Sequence, residues 1–197
     1  MNPALPLAML AFAVLAPAES YVPHDIARVR DQVEFYEHWF GGPLRTMEEP
    51  SFSRADSLGE FRRRFRLVVL PSFHPAYAIR IDESRDGSAQ VRIARLDQRR
   101  EGTRIAESES FVLAAAALQP VDEAIDAAAL RSRRGEPSSG SCTDGVTFVF
   151  ELVDEAGRVF VHRHQCSLNA TLLRLVRHVD ALRRTVGSDL PGYLNES

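Results

Sequence analysis

Several features that commonly point to a function are missing from this sequence of 197 residues. It contains no lysine, so all 24 of its basic side chains are arginines, and its formal net charge is −3. Binding to a phosphate backbone requires a clustered excess of positive charge, which this balance does not provide. We therefore expect no nucleic-acid partner.

Long hydrophobic runs are also scarce, and the one at the start is too short for the roughly 20 residues that cross a bilayer. Residues 4–15 are apolar, and Ala16-Pro17-Ala18 precedes the polar Glu19. This layout predicts a signal peptide at residues 1–18 with cleavage after Ala18. No arginine precedes the apolar run, so a buried N-terminal helix is the alternative. We expect a mature, periplasmic or secreted chain without a membrane span, forming a single domain at 19–197.

Cysteine is nearly absent, since only Cys142 and Cys166 occur. An even pair in an exported chain indicates a disulfide bond, and the two residues flank the last predicted hairpin. A redox-active pair is the alternative, but the sequence has no C-x-x-C arrangement. We expect a structural disulfide between Cys142 and Cys166.

Hydrophobic periodicity predicts three helices and six strands. The expected helices cover residues 25–40, ended by Gly41-Gly42, then 120–130, starting at Pro120, and 168–186. The expected strands cover residues 65–70, 76–82, 89–96, 103–112, 146–153 and 159–165, with a loop at 43–60. The order of elements shows no regular βαβ alternation. We therefore expect an α+β fold, mainly an antiparallel sheet of about six strands with helices packed on one side and one disulfide.

Two histidines form the sharpest chemical motif in the sequence. His162, His164 and Cys166 stand at alternate positions of one predicted strand, so their side chains share a face as a metal site requires. A disulfide at Cys166 would remove the third ligand, and no further ligand lies at a recognisable spacing. Ordinary polar roles for His162 and His164 are the simpler interpretation, and we expect no cofactor.

Other polar residues allow a pocket but do not define one. His74 lies in a break between strands, where it either lines a pocket or caps the turn. Glu151 is either a half-buried catalytic acid or the partner of Arg163 on the neighbouring strand. Arginines at positions 62, 63, 64 and 66 interleave with Phe61 and Phe65, which indicates either a solvated strand edge or a docking patch for an anionic partner.

The last hairpin resembles a loose group of uncharacterised exported bacterial proteins. The matching residues are Asp144, Gly145, Phe148, Glu151, Gly157 and Arg158. Phe148 stands where that group commonly has tryptophan, and Phe160 stands near the position of its next aromatic residue. The resemblance implies bacterial export and this order of elements, and it implies no particular activity.

The sequence alone does not assign a specific role. It shows no convincing catalytic set, so we expect a non-catalytic exported protein that binds a macromolecule in the bacterial envelope, as an inhibitor, an immunity protein or an assembly factor. A metal-binding protein or metal-dependent hydrolase using His162 and His164 is one alternative. A small-ligand carrier with an apolar pocket between sheet and helices is another.

Overall fold

The computed structural model describes residues 19–26, 30–54, 57–99, 102–133 and 144–185. The predicted signal peptide lies outside these residues. The helices, in chain order, are α1 (Arg30–Tyr36), a π-helix (Glu37–Gly41), α2 (Gly42–Thr46), α3 (Ala115–Ala128), a 3₁₀ turn (Leu130–Arg133), a second 3₁₀ turn (Gln165–Ser167) and α4 (Ala170–Thr185). The strands are β1 (Arg63–Pro71), β2 (Tyr77–Glu83), β3 (Ala89–Arg99), β4 (Gly102–Leu113), β5 (Val146–Asp154) and β6 (Gly157–His164).

The strands form one six-stranded sheet in the order β4-β3-β2-β1-β5-β6, and every neighbouring pair is antiparallel. The α+β prediction is confirmed. The first four strands form a meander, and the last hairpin adds β5 beside β1. This addition places β1 in the interior of the sheet, so the predicted solvated edge at its arginines is wrong.

Both faces of the sheet are covered, which corrects the expectation that helices pack on one side. The first face carries alternate apolar side chains of all the central strands, and α3 and α4 pack on it. The second face is covered by the described residues between 19 and 61, here called the N-terminal cover. Its apolar residues, among them Tyr21, Phe40 and Leu44, pack on Val68 and Val149.

Several helix boundaries differ from the sequence prediction. The first helix begins at Arg30 instead of residue 25. The first helix does not end at Gly41-Gly42, because the chain passes through both glycines into α2 and ends at Thr46. The helix expected to start at Pro120 is α3, which begins at Ala115, so Pro120 lies inside it. The helix tolerates Pro120 because proline lacks only one amide donor and the alanine-rich turn before it has strong helix propensity.

Candidate functional site

The most unusual feature of the molecule is a group of buried arginines on the second face of the sheet. Successive side chains of a strand point to opposite faces. Phe65 and Leu67 of β1 therefore enter the first core, whereas Arg64 and Arg66 point under the N-terminal cover. Arg66 is 0% exposed. A guanidinium in such a place requires charged or hydrogen-bonding partners.

Strand register lines up a row of charges across this face. Arg66 lies opposite Arg80 on β2 and opposite Glu151 on β5, and Arg80 lies opposite Arg92 on β3. Like charges directly opposite one another destabilise a sheet. A further negative charge is therefore needed over the three arginines.

Glu49 of the N-terminal cover supplies that charge. Its Oε2 lies 3.4 Å from Nη1 of Arg66 and 3.3 Å from Nε of Arg80, and its Oε1 accepts from Nη1 of Arg92. The Glu49 side chain is 0% exposed. One carboxylate thus bridges arginines from three adjacent strands.

The backbone around Glu49 fixes the position of its carboxylate. Glu48, directly before it, has a φ of 57°, in the left-handed region. The Glu49 amide donates to the Leu44 carbonyl (3.0 Å), and the Tyr21 hydroxyl donates to the Glu49 carbonyl (2.7 Å).

Two further carboxylates lie within the sheet. Glu151 accepts from Nε of Arg66 (2.8 Å) and from Nη2 of Arg158 (2.7 Å). Asp82 accepts from Nε of Arg64 (2.7 Å), and its other oxygen lies 3.2 Å from Nη1 of Arg80. Burial lowers the pKa of Arg80, while the carboxylates of Glu49 and Asp82 act in the opposite direction.

We define the arginine cluster as these eight residues. Its members are Arg64, Arg66, Arg80, Arg92, Arg158, Glu49, Asp82 and Glu151. Its guanidiniums outnumber its carboxylates, and carbonyl groups of the N-terminal cover accept further hydrogen bonds. Pro50 accepts from Arg66 (2.7 Å), Met47 from Arg92 (2.8 Å) and Ser57 from Arg64 (2.6 Å).

The start of the N-terminal cover is held by a second carboxylate, Glu37 of the π-helix. Its Oε2 accepts from the amides of Tyr21 (3.0 Å) and Val22 (3.1 Å), and its Oε1 accepts from Arg45 (2.6 Å). Burial acts to raise the pKa of Glu37, but the hydrogen bonds from Arg45 and the two amides outweigh it and leave this pKa lowered.

An aromatic seam joins the cover to the edge strand β6. The His162 ring centroid lies 5.3 Å from those of Tyr36 and Phe40 and 6.4 Å from that of Phe160. Burial, followed by the positive charge of Arg163, lowers the pKa of His162 to about 4. His162 is therefore neutral at pH 7.

Two large aromatic side chains of the same helical region face solvent. Phe35 is 56% exposed and Trp39 is 40% exposed, and their ring centroids are 5.4 Å apart. Trp39 stacks on the buried Phe40 with a centroid distance of 5.0 Å and an interplanar angle of 22°. We call Phe35 and Trp39 the aromatic patch.

The structure places the predicted metal residues on different elements. His162 and His164 share one face of β6, but the strand ends at His164 and Cys166 lies in the following 3₁₀ turn. Nδ1 of His164 is buried and has no hydrogen-bond partner in the part of the chain that the structure describes. Within the same residues, no three side chains of the ligating types form a group that could hold a metal. Metal binding by this pair stays a prediction.

The predicted disulfide is only half within the described residues. Cys142 lies outside them, and Cys166 is not a free thiol. The Cys142–Cys166 bond therefore stays a prediction.

The structure does not bring His74, Glu151 and Arg163 into one pocket. His74 is exposed in the loop between β1 and β2. Arg163 lies opposite Phe148 in the β5–β6 register, whereas Glu151 lies opposite Phe160, so the two belong to opposite faces of the sheet. Glu151 is held instead by Arg66 and Arg158.

A cleft of about 310 Å³ opens between the sheet and the end of α3, and the small-ligand alternative requires a pocket between sheet and helices of this kind. Its floor is apolar, with Ile125, Leu130 and Leu152. The arginines at its rim are already paired, Arg63 with Asp122 and Arg131 with Asp154. Burial raises the pKa of Asp122, against the opposing charge of Arg63.

Two carboxylates that organise the site, Glu49 and Glu37, were not predicted from the sequence. Glu49 falls in the segment predicted to be a loop, and Glu37 lies near the expected end of the first helix. A signal was present in the alternation of Arg64 and Arg66 with Phe65 and Leu67. A strand with apolar residues on one face and arginines on the other requires carboxylates from elsewhere if both faces are buried.

The fold and the site define an α+β protein whose N-terminal segment is held on a sheet by buried ion pairs. No family model matches this chain, and a search of curated proteins also found no match. Within the described residues, none of the helices combines the length and the apolar character that crossing a membrane requires.

Proposed function

We propose that this chain is an exported, non-catalytic protein of the bacterial envelope that binds another protein through the aromatic patch. Residues 1–18, with the layout of a signal peptide, support export, and the resemblance of the last hairpin to exported bacterial proteins agrees with it. The observation that carries the binding proposal is the exposure of Phe35 and Trp39 side by side.

The patch has the composition of a binding hot spot. Tryptophan and other aromatic residues contribute most of the binding energy in many protein interfaces, provided that they are held in place. Trp39 stacks on Phe40, and Phe40 in turn contacts His162 of the sheet. The patch is thus presented by a packed support, so its side chains lose little conformational freedom on binding.

Charge favours a protein partner over a lipid surface. Asp31 lies one helical turn before Phe35, and Glu34, itself paired with Arg30, lies on the same helix. The whole chain carries a net charge of −3. Anionic lipids attract basic segments and repel acidic ones. We therefore expect a protein partner that offers an apolar pocket with a basic rim.

A comparative pull-down tests this proposal. The wild-type chain and the variants Phe35→Ser, Trp39→Ser and Phe73→Ser are used as bait in an envelope extract, and the recovered proteins are compared. Phe73 is the matched control because it is 76% exposed but lies in the β1–β2 loop. We expect one protein to be recovered with wild type and Phe73→Ser and lost with the two patch variants.

The purified partner then gives a quantitative measurement. Each patch variant is expected to weaken binding at least about tenfold, as truncation of a hot-spot residue does. Equal recovery and equal affinity with all four baits would refute the proposal. Binding of the wild type to anionic vesicles, lost in the patch variants, would assign the patch to lipid instead.

A further inference from the structure

The cleft at the end of α3 combines an apolar floor with a charged rim. Ile125, Leu130 and Leu152 form the floor, and Asp126 and Ser132 belong to the rim. Its volume of about 310 Å³ lies at the lower end of the range in which proteins bind small molecules. A ligand that fits needs an apolar body for the floor and a polar group for the rim. The charges at the rim therefore decide the class of ligand.

The ion pairs around the cleft contain more carboxylates than guanidiniums. Four carboxylates face three guanidiniums, and these groups belong to Glu83, Asp122, Asp126, Asp154, Arg62, Arg63 and Arg131. The next arginine along the chain, Arg133, donates to the Ala128 carbonyl (2.7 Å) and to Thr171 of α4 (3.2 Å), and it does not line the cleft. One negative charge around the cleft therefore has no positive counterpart.

Both guanidiniums that line the cleft are already engaged. Nε of Arg63 donates to Glu83 (2.9 Å), and Nη2 of the same side chain donates to Asp122. Arg131 donates to Asp154 and to two backbone carbonyls at the β5–β6 turn. An anionic ligand would have to displace these partners. The rim therefore disfavours an anion.

Asp126 is the carboxylate without a close counterion. Its side chain is 80% exposed, and the nearest cation among the described residues, Nη1 of Arg63, lies 3.9 Å from its Oδ1. The Ser132 hydroxyl donates to the Ala129 carbonyl (2.8 Å), so its oxygen can accept a further hydrogen bond. An ammonium group donates three hydrogen bonds and carries the charge that Asp126 lacks nearby. The polar group that suits this rim is an ammonium.

We propose that the cleft binds a small primary amine with an apolar body. The ammonium group of the ligand lies at Asp126, and its body lies on Ile125, Leu130 and Leu152. This inference goes beyond the proposed protein partner, because the cleft is on the first face of the sheet and the aromatic patch belongs to the N-terminal cover. Failure of one proposal therefore leaves the other in place.

Titration with phenethylamine tests the site, and 3-phenylpropionate, which joins a similar apolar body to a carboxylate, is the matched control ligand. Calorimetry measures affinity, and methyl NMR locates the ligand. We expect saturable binding of phenethylamine with shifts of the Ile125, Leu130 and Leu152 methyl signals. Binding of 3-phenylpropionate should be at least about tenfold weaker, because Asp126 repels its carboxylate and the arginines are occupied.

Asp126→Asn removes the charge and keeps the shape, and the exposure of Asp126 means that the variant should fold. We expect it to weaken phenethylamine binding about threefold to tenfold. Glu123→Gln is the matched control, because Glu123 is an exposed carboxylate of the same helix outside the cleft, and it should leave the affinity unchanged.

Several results would overturn the proposal. One is a dissociation constant for phenethylamine above about 10 mM, and another is an equal or higher affinity for 3-phenylpropionate. Methyl shifts confined to residues outside the cleft would also exclude this site. The same holds for an affinity that Asp126→Asn leaves unchanged, or that Glu123→Gln lowers equally.

Discussion

At the scale of single residues, Glu49 has the largest electrostatic role on the second face of the sheet. It is the carboxylate that bridges Arg66, Arg80 and Arg92, while Glu151 and Asp82 belong to the sheet itself. Removal of one partner from a buried ion pair costs more than the pair contributes, because the remaining charge stays buried without compensation. The stability of the cover therefore depends strongly on this side chain.

Glu49→Gln tests this dependence with little change in shape. We expect the free energy of unfolding to fall by about 3 kcal/mol, since three buried guanidiniums lose their common carboxylate. Urea denaturation at neutral pH measures the change. Glu48→Gln is the matched control, because Glu48 is adjacent and exposed, and a change within about 0.5 kcal/mol is expected. Similar losses in both variants would contradict the role assigned to Glu49.

The arginine cluster also shows why the site was hard to predict from the sequence. The strand at Arg63–Pro71 was recognised from its apolar residues, but its position within the sheet was not. Arg66 pairs with Glu151, which lies 85 positions away in the sequence. It also pairs with Glu49, which lies in a segment without hydrophobic periodicity. Local patterns do not contain such pairings, so the same arginines fit a solvated edge equally well.

At the scale of elements, the π-helix depends on a close approach that only glycine allows. A Cβ at Gly41 would lie 2.6 Å from Oε1 of Glu37 and 3.2 Å from Cβ of Tyr21. Gly41 therefore permits Glu37 to reach the amides of Tyr21 and Val22. Gly41-Gly42 was expected to end the first helix, but neither residue has a positive φ. Glycine is therefore needed at position 41 because a side chain would not fit there, and not because the backbone adopts a conformation that other residues avoid.

Alanine substitutions at the adjacent residues Gly41 and Gly42 distinguish the effect of limited steric space from the effect of helix propensity. Gly41→Ala is expected to lower the free energy of unfolding by about 1–3 kcal/mol, because Glu37 or Tyr21 must move. Gly42→Ala meets nothing within 4 Å and is expected to raise it by up to about 1 kcal/mol through helix propensity. Thermal denaturation of both variants measures the difference. A gain in stability in both would mean that Glu37 moves aside at no cost.

The strands and α4 were predicted well because each repeats one pattern over many residues. Val146–Asp154 alternates so that Phe148, Phe150 and Leu152 enter the first core, as the periodicity indicates. The start of α3 was placed five residues late, because the rule that proline opens a helix was applied to Pro120. Ala115 has no side-chain signal of its own that marks the start.

At the scale of the whole molecule, the sheet separates two cores of different character. The first is apolar and lies under α3 and α4, and the second combines apolar contacts with the arginine cluster. Helices were expected on one side only, although the first expected helix, 25–40, belongs to the cover, because periodicity indicates that a helix forms and not which face of the sheet it covers. The apolar residues Val68 and Val149 on the second face were the available evidence that this face is covered too.

Titratable groups of the cover and of the β6 residue His162 that contacts it predict how stability depends on pH. His162 has a folded pKa of about 4 against 6.5, so its contribution is complete above 6.5 and is lost as the pH falls towards 4. Glu37, whose pKa is lowered from 4.5, adds a loss below that value. Burial raises the pKa of Tyr21 above 10.0, with the charge of Glu19 as the next cause. Its contribution is complete below 10.0 and is lost as the pH rises through the folded pKa.

The free energy of unfolding should therefore be highest between pH 6.5 and pH 10.0 and decline on both sides. Urea denaturation across this range measures the profile. Tyr21→Phe removes the titrating hydroxyl, together with its hydrogen bond to the Glu49 carbonyl, so it should lower the plateau but flatten the alkaline decline. The acid decline should persist in that variant, because His162 and Glu37 are unchanged. An alkaline decline of the same size in Tyr21→Phe would show that another group controls it.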